Sequence, residues 1–130
     1  AASDVYKRQS GEIRVHLTRR FWERDPFGRA QKLFQQYGMN RTAKRNGVLL
    51  YINLRRHKFA IVGDEGVHQV VGQKYWEELA RALHEDLLST HIENAVAIAV
   101  HTIGVTLHRF FPADLDSQNP DELTNEVTHD

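Results

Sequence analysis

The sequence predicts an α/β fold, a three-layer α/β/α sandwich around a short mixed β-sheet, on three observations. Two short runs, residues 47–54 and 58–63, are apolar at nearly every position, the mark of strands covered on both faces. A helical pattern opened by Asp25-Pro26 separates the first of these from an earlier alternating strand. Two long amphipathic patterns follow and supply further covering layers.

The elements follow in order. In residues 12–17, Ile13, Val15 and Leu17 alternate with Glu12, Arg14 and His16, a strand with one polar face. Asp25 caps and Pro26 begins a helix whose Phe27, Ala30, Phe34 and Tyr37 recur at helical spacing until Gly38 stops it. The loop 39–46 is polar and basic. Residues 47–54 (Val48, Leu49, Leu50, Tyr51, Ile52) and 58–63 (Phe59, Ala60, Ile61, Val62) read as an antiparallel hairpin joined by Arg55-Arg56-His57, expected in the middle of the sheet. Asp64 opens a short helix to Val71. Residues 73–89 form an amphipathic helix with Trp76, Leu79, Leu83 and Leu87 on one face. Residues 91–111 form another, bearing Ile92, Val96, Ala99, Ile103, Leu107 and Phe110, and Pro112 ends it. The strand–helix–strand opening implies a parallel pair, with the third strand antiparallel to the second.

Composition bounds the chemistry. The 130 residues suit one domain, and with no cysteine the chain has no disulfide, thiolate ligand or thiol nucleophile. No apolar run reaches the ~18 residues of a membrane span. The net charge of zero is uneven: six acids and no Lys or Arg lie from Ala113 onward, so eleven acids face seventeen bases in residues 1–112. An acidic tail on a basic body serves solubility or folds back electrostatically, and the scattered bases give no nucleic-acid stripe, so no nucleic acid is expected. The chain divides into residues 1–9, which resemble translated adapter sequence and are set aside as non-native; an α/β domain over 10–112; and a tail over 113–130, poor in core residues and expected to be disordered. The chain is expected in the cytoplasm; a natural start lost with residues 1–9 leaves a signal peptide open.

Hairpin geometry predicts one site. With the turn centred on Arg55-Arg56, Gly47 faces Asp64, and a parallel first strand begins at the same edge. One rim of the sheet then gathers Glu12, Thr42, Asn46, Asp64 and Glu65, an oxygen-rich set suited to a hard cation such as Ca²⁺ or Mg²⁺. The plainer reading is that Asp64 caps the following helix and Glu65 favours its N-terminus. Arg41, Lys44 and Arg45 on the same rim oppose a cation and could hold phosphate. The eight histidines form no persuasive set: His101 and His108 lie seven apart on one helix without a third ligand, and the histidines are expected on the surface or between helices. No HExxH, GxSxG or phosphate-cradling glycine loop is present, and no catalytic residue is assigned.

Four phrases in order, SGEIRVHL from Ser10, RNGVLLYINL from Arg45, FAIVGDEGV from Phe59 and RFFP from Arg109, with DELTNEV near the end, resemble the TPM domain family, in particular its small bacterial members with an acidic tail. The resemblance covers residues 10–130. It implies an α/β/α sandwich, and a helix before the first strand where residues 1–9 now stand. It also implies the family's activities: calcium binding in some members, and acid phosphatase action in a plant thylakoid-lumen member of photosystem II repair. The implied partner is another protein, of LemA type or membrane-associated. Where many members carry Asp-Asn-Gly, this chain has Arg45-Asn46-Gly47, and Gly63-Asp64-Glu65-Gly66 stands in place of Gly-Tyr-Gly-x-Glu. The expected function is a divalent-cation-binding and protein-interaction module with Asp64, Asn46, Glu65 and Glu12 as ligands; the alternative is a weak metal-assisted phosphomonoesterase.

Overall fold

The computed structural model describes residues 11–112 and 124–130. Strand β1 (Glu12–Thr18) leads to helix α1 (Pro26–Gln36), a 3-10 turn (Met39–Arg41), strand β2 (Val48–Asn53) and strand β3 (Lys58–Gly63). Helix α2 (Glu65–Ser89), helix α3 (Ile92–Phe110) and strand β4 (Thr124–His129) complete the fold. The sheet order is β3-β2-β1-β4, with β1 parallel to both β2 and β4 and β3 antiparallel to β2.

The apolar run of β2 is explained by its place. Leu49 and Tyr51 pack with Ala30, Leu33 and Phe34 of α1, while Leu50 and Ile52 pack with Leu83, Ala95 and Ala99 of α2 and α3. Every residue of β2 is buried. Helices therefore cover both faces, which is the expected sandwich.

Local chemistry sets the helix ends. The Asp25 carboxylate accepts the Gly28 amide at 2.9 Å, Pro26 occupies the first turn, and Gly38 at φ 69° reverses the chain after α1. Within α2, Gly72 (φ 78°, ψ 170°) breaks the helix between two segments, matching the two helices expected there. A Cβ at Gly72 would meet nothing within 4 Å, so the left-handed φ and not crowding calls for glycine.

Two expectations are corrected. First, β3 is an edge strand instead of a central one. Its apolar residues report α1 and α2 above and below it, because a run apolar on both faces signals covered faces and says nothing of a neighbour on each side. Second, the tail expected to be disordered contributes β4, paired along six positions with Glu12–Leu17 of β1. Its Val127 is 59% exposed, so apolar burial does not hold it there. Backbone pairing does, with Asp130 as a clamp: its amide bonds Leu17 O at 3.3 Å and its carboxylate bonds Arg29 Nη2 at 2.6 Å. The expectations for residues 1–9 and for 113–123 lie outside the described residues.

Candidate functional site

The acidic rim forms where hairpin geometry placed it. Asp64 N bonds Gly47 O at 2.9 Å, and Gly66 N bonds Arg45 O at 2.8 Å, so the loop before β2 is tied to the start of α2. Gly66 has to be glycine, since a Cβ there would collide with the Lys44 carbonyl and sit 2.7 Å from that of Arg45. Asn46 is buried against Gly11, and its amide bonds Thr42 Oγ1 at 3.0 Å.

The rim brings Asn46, Asp64 and Glu65 together. Its charge is already answered: Arg45 forks onto Asp64 through Nε at 2.8 Å and Nη2 at 2.9 Å, while Asp64 Oδ1 also accepts the Glu65 amide at 2.8 Å. The carboxylate in turn raises the Arg45 pKa through that hydrogen bond. A cation approaching Asp64 thus meets a guanidinium on both oxygens. Glu12 starts β1 at the same edge, but its Oε2 turns onto Arg14 at 2.9 Å. Among the described residues no three His, Asp or Glu side chains converge as a metal site. His101 and His108 are both exposed on α3.

The opposite end of the sheet holds a concavity. A cavity of about 550 Å³ is lined by Arg20, Arg24, Arg29 and Lys32, with Trp22 as an aromatic wall. It lies beyond the carboxyl end of β1, between the loop that follows β1 and the first turns of α1. Ligands of open α/β sheets bind outside the carboxyl ends of the strands, which is where this crevice lies. The two carboxylates on the wall are spent locally: Asp25 caps α1, and Glu23 Oε2 accepts Tyr51 Oη at 2.5 Å and Asn53 Nδ2 at 2.9 Å. Arg29 Nε is buried with no hydrogen-bond acceptor among the described residues.

Beneath the crevice runs a buried polar network. His16, 1% exposed, stacks on Tyr51 with centroids 5.8 Å apart. Its Nδ1 faces Thr128 Oγ1 at 2.7 Å and Tyr37 Oη at 2.9 Å, and its Nε2 faces Asp130 Oδ2 at 3.3 Å. Burial lowers the His16 pKa in spite of Asp130. Burial also pushes the Tyr51 hydroxyl up to about 12, helped by its bond to Glu23, so it stays a donor. For Asp130, burial raises the pKa, but hydrogen bonds from Thr18, Arg29 and His16 outweigh it and hold the carboxyl low.

Sequence reasoning missed this end of the molecule. Against the expectation of a surface or helix-packing group, His16 is buried between β1 and the end of α1. One signal was available: the polar face of β1 carries Arg14, His16 and Thr18, and a buried Asn53 ends the apolar run of β2. Two polar faces meeting under a helix demand partners. Arg29, Glu23 and Asp130 are those partners, but they come from three separate segments that no spacing rule links.

The TPM domain profile matches residues 1–106. No functionally curated protein matches the chain significantly. The fold is similar to the NMR structure of BA42 protein from the psychrophilic bacterium Bizionia argentinensis, with a TM-score of 0.77 and 28% identity, covering 95% of this chain and 89% of that one. With the profile covering most of its length and the sandwich shared with BA42, the chain belongs to the TPM domain family.

Proposed function

We propose that the protein is a binding module that captures a phosphate-bearing anion in the crevice beyond β1. The observation that carries this reading is the convergence of Arg20, Arg24 and Lys32 on one cavity beside Arg29, which Asp130 pairs, with both wall carboxylates held by hydrogen bonds. Guanidinium forks match phosphate oxygens bidentately, and the nearby start of α1 adds favourable dipole. The lining has no hydroxyl, thiol or imidazole, and its carboxylates Glu23 and Asp25 are held by Tyr51, Asn53 and the Gly28 amide, so it is suited to holding a phosphate ester. Thermal shift and calorimetry with inorganic pyrophosphate test this. Binding should weaken about tenfold or more in Arg24→Ala/Lys32→Ala, since a charged hydrogen bond contributes roughly 1.5–3 kcal/mol. Binding unchanged in that variant would refute the crevice.

A second reading attaches to the other rim. The juxtaposition of Asn46, Asp64 and Glu65 supports a divalent cation of the Ca²⁺ type, which binds by displacing Arg45 from Asp64. Arg45→Ala should then tighten Ca²⁺ binding relative to wild type. Equal, negligible shifts in both proteins would dismiss that reading.

A further inference from the structure

The loop that follows β1 presents two large aromatic rings to solvent from a rigid base. Glu23 anchors it: its carboxylate is held by Tyr51 and Asn53, and its carbonyl accepts Lys58 Nζ at 2.9 Å. Asn53 also bonds Arg20 O at 3.1 Å and, through Oδ1, the Arg55 and Arg56 amides at 3.0 and 2.9 Å. The loop and the β2–β3 turn are therefore one fixed unit. Phe21 is 56% and Trp22 69% exposed, packed edge to face with centroids 5.8 Å apart. The Arg55 guanidinium lies 5.0 Å and that of Arg56 5.9 Å from the Phe21 centroid, and Arg24 lies 6.0 Å from that of Trp22.

An apolar groove of about 410 Å³ adjoins this knuckle on the other face of the sheet. Ile52, Leu54, Phe59, Leu87 and Ile92 line it, and Leu88, 77% exposed, completes it. Arg19 and Lys58 form part of the same wall. Apolar surface left in water beside fixed cations suits docking onto a partner that is both apolar and anionic. The cations around it specify a negatively charged partner.

We propose that this end of the molecule docks on an anionic phospholipid surface, with Phe21 and Trp22 entering the headgroup boundary and Arg24, Arg55 and Arg56 meeting lipid phosphates. Aromatic rings favour that boundary, and each nearby cation adds affinity for an anionic leaflet. Two observations favour lipid over single-stranded nucleic acid. Guanidiniums already attend Phe21, which is then no open stacking platform, and the groove suits an acyl chain better than a sugar–phosphate backbone. The inference goes beyond the crevice reading and stands on different residues, Trp22 and Arg24 apart.

Co-sedimentation of the full chain with vesicles tests it, using phosphatidylcholine alone and phosphatidylcholine mixed with phosphatidylglycerol. Binding should require the anionic lipid and fall with added salt. The Trp22 emission should shift to the blue and be quenched by brominated lipid, and Trp22→Ser should abolish that quenching. Arg55→Ala/Arg56→Ala should weaken binding about twenty-five-fold, taking roughly fivefold for each arginine. Both variants alter exposed side chains, and an unchanged melting temperature verifies their folding. No sedimentation with anionic vesicles, equal binding to neutral ones, or tighter binding to oligo-dT through the same residues would overturn the proposal. Pyrophosphate binding measured on the Arg55→Ala/Arg56→Ala variant, which leaves the crevice lining intact, reports the crevice separately.

Discussion

The imidazole Nε2 of His16 lies 3.3 Å from the Asp130 carboxylate, joining the centre of the sheet to the end of its last strand. Burial holds His16 below its ordinary pKa of 6.5, so folding favours the neutral ring. Between the lowered value and 6.5 the unfolded chain binds the extra proton, and stability falls as pH drops through that window. Asp130 works lower: its depressed pKa contributes stability above 3.8 that is lost on further acidification. Urea midpoints measured from pH 8 to pH 3 should show two declines, with the upper one missing in His16→Gln. A flat profile between pH 7 and pH 5 would contradict this account of the buried ring.

The fourth strand makes the acidic tail a structural element. Truncation after Pro112 strips the β1 edge of its partner and leaves Arg29 without Asp130. The expected cost is about 2–4 kcal/mol, a few net backbone hydrogen bonds and one charged bond. Asp130→Asn should give a smaller loss of the same sign. Urea unfolding measures both, and truncation without effect would show that β4 adds nothing to stability.

Tyr51 tests the network under the crevice. Tyr51→Phe removes the 2.5 Å donor to Glu23 and leaves a buried carboxylate with Asn53 as its remaining side-chain donor. The loss should be about 1–3 kcal/mol, the range for an unsatisfied buried polar group. A neutral substitution would mean that water replaces the hydroxyl without penalty.

At the rim, the roles of Asp64 separate by substitution. Asp64→Asn retains an oxygen for the Glu65 amide but loses the ion pair to Arg45. Asp64→Ala loses both and should be less stable than Asp64→Asn by a further ~1 kcal/mol, the usual contribution of a cap. Equal melting temperatures for the two variants would remove capping from the explanation.

The parts of the fold legible in the sequence were those written in local periodicity. Asp25-Pro26 and Gly38 bracket α1, Gly72 divides α2, and the apolar run of β2 announced a layer on each side. The Gly47–Asp64 apposition followed from hairpin arithmetic. Strand order did not follow, because β4 owes its place to backbone pairing and to Asp130, and neither leaves an apolar signature. The rim's residues are legible in the sequence, but the fork of Arg45 onto Asp64 goes with a left-handed turn at Arg45 (φ 52°) that its side chain does not advertise. The crevice was invisible for a related reason. Arg20 and Arg24 read as ordinary surface bases until Glu23 is seen anchored beneath them.

The most direct test of anion capture is an amide NMR titration of the isotopically labelled chain with inorganic pyrophosphate. The account predicts saturable shifts at Arg20, Trp22, Arg24, Gly28, Arg29 and Lys32, with the rim at Arg45, Asn46 and Asp64 unmoved. Shifts confined to that rim, or none at saturating pyrophosphate, would contradict it.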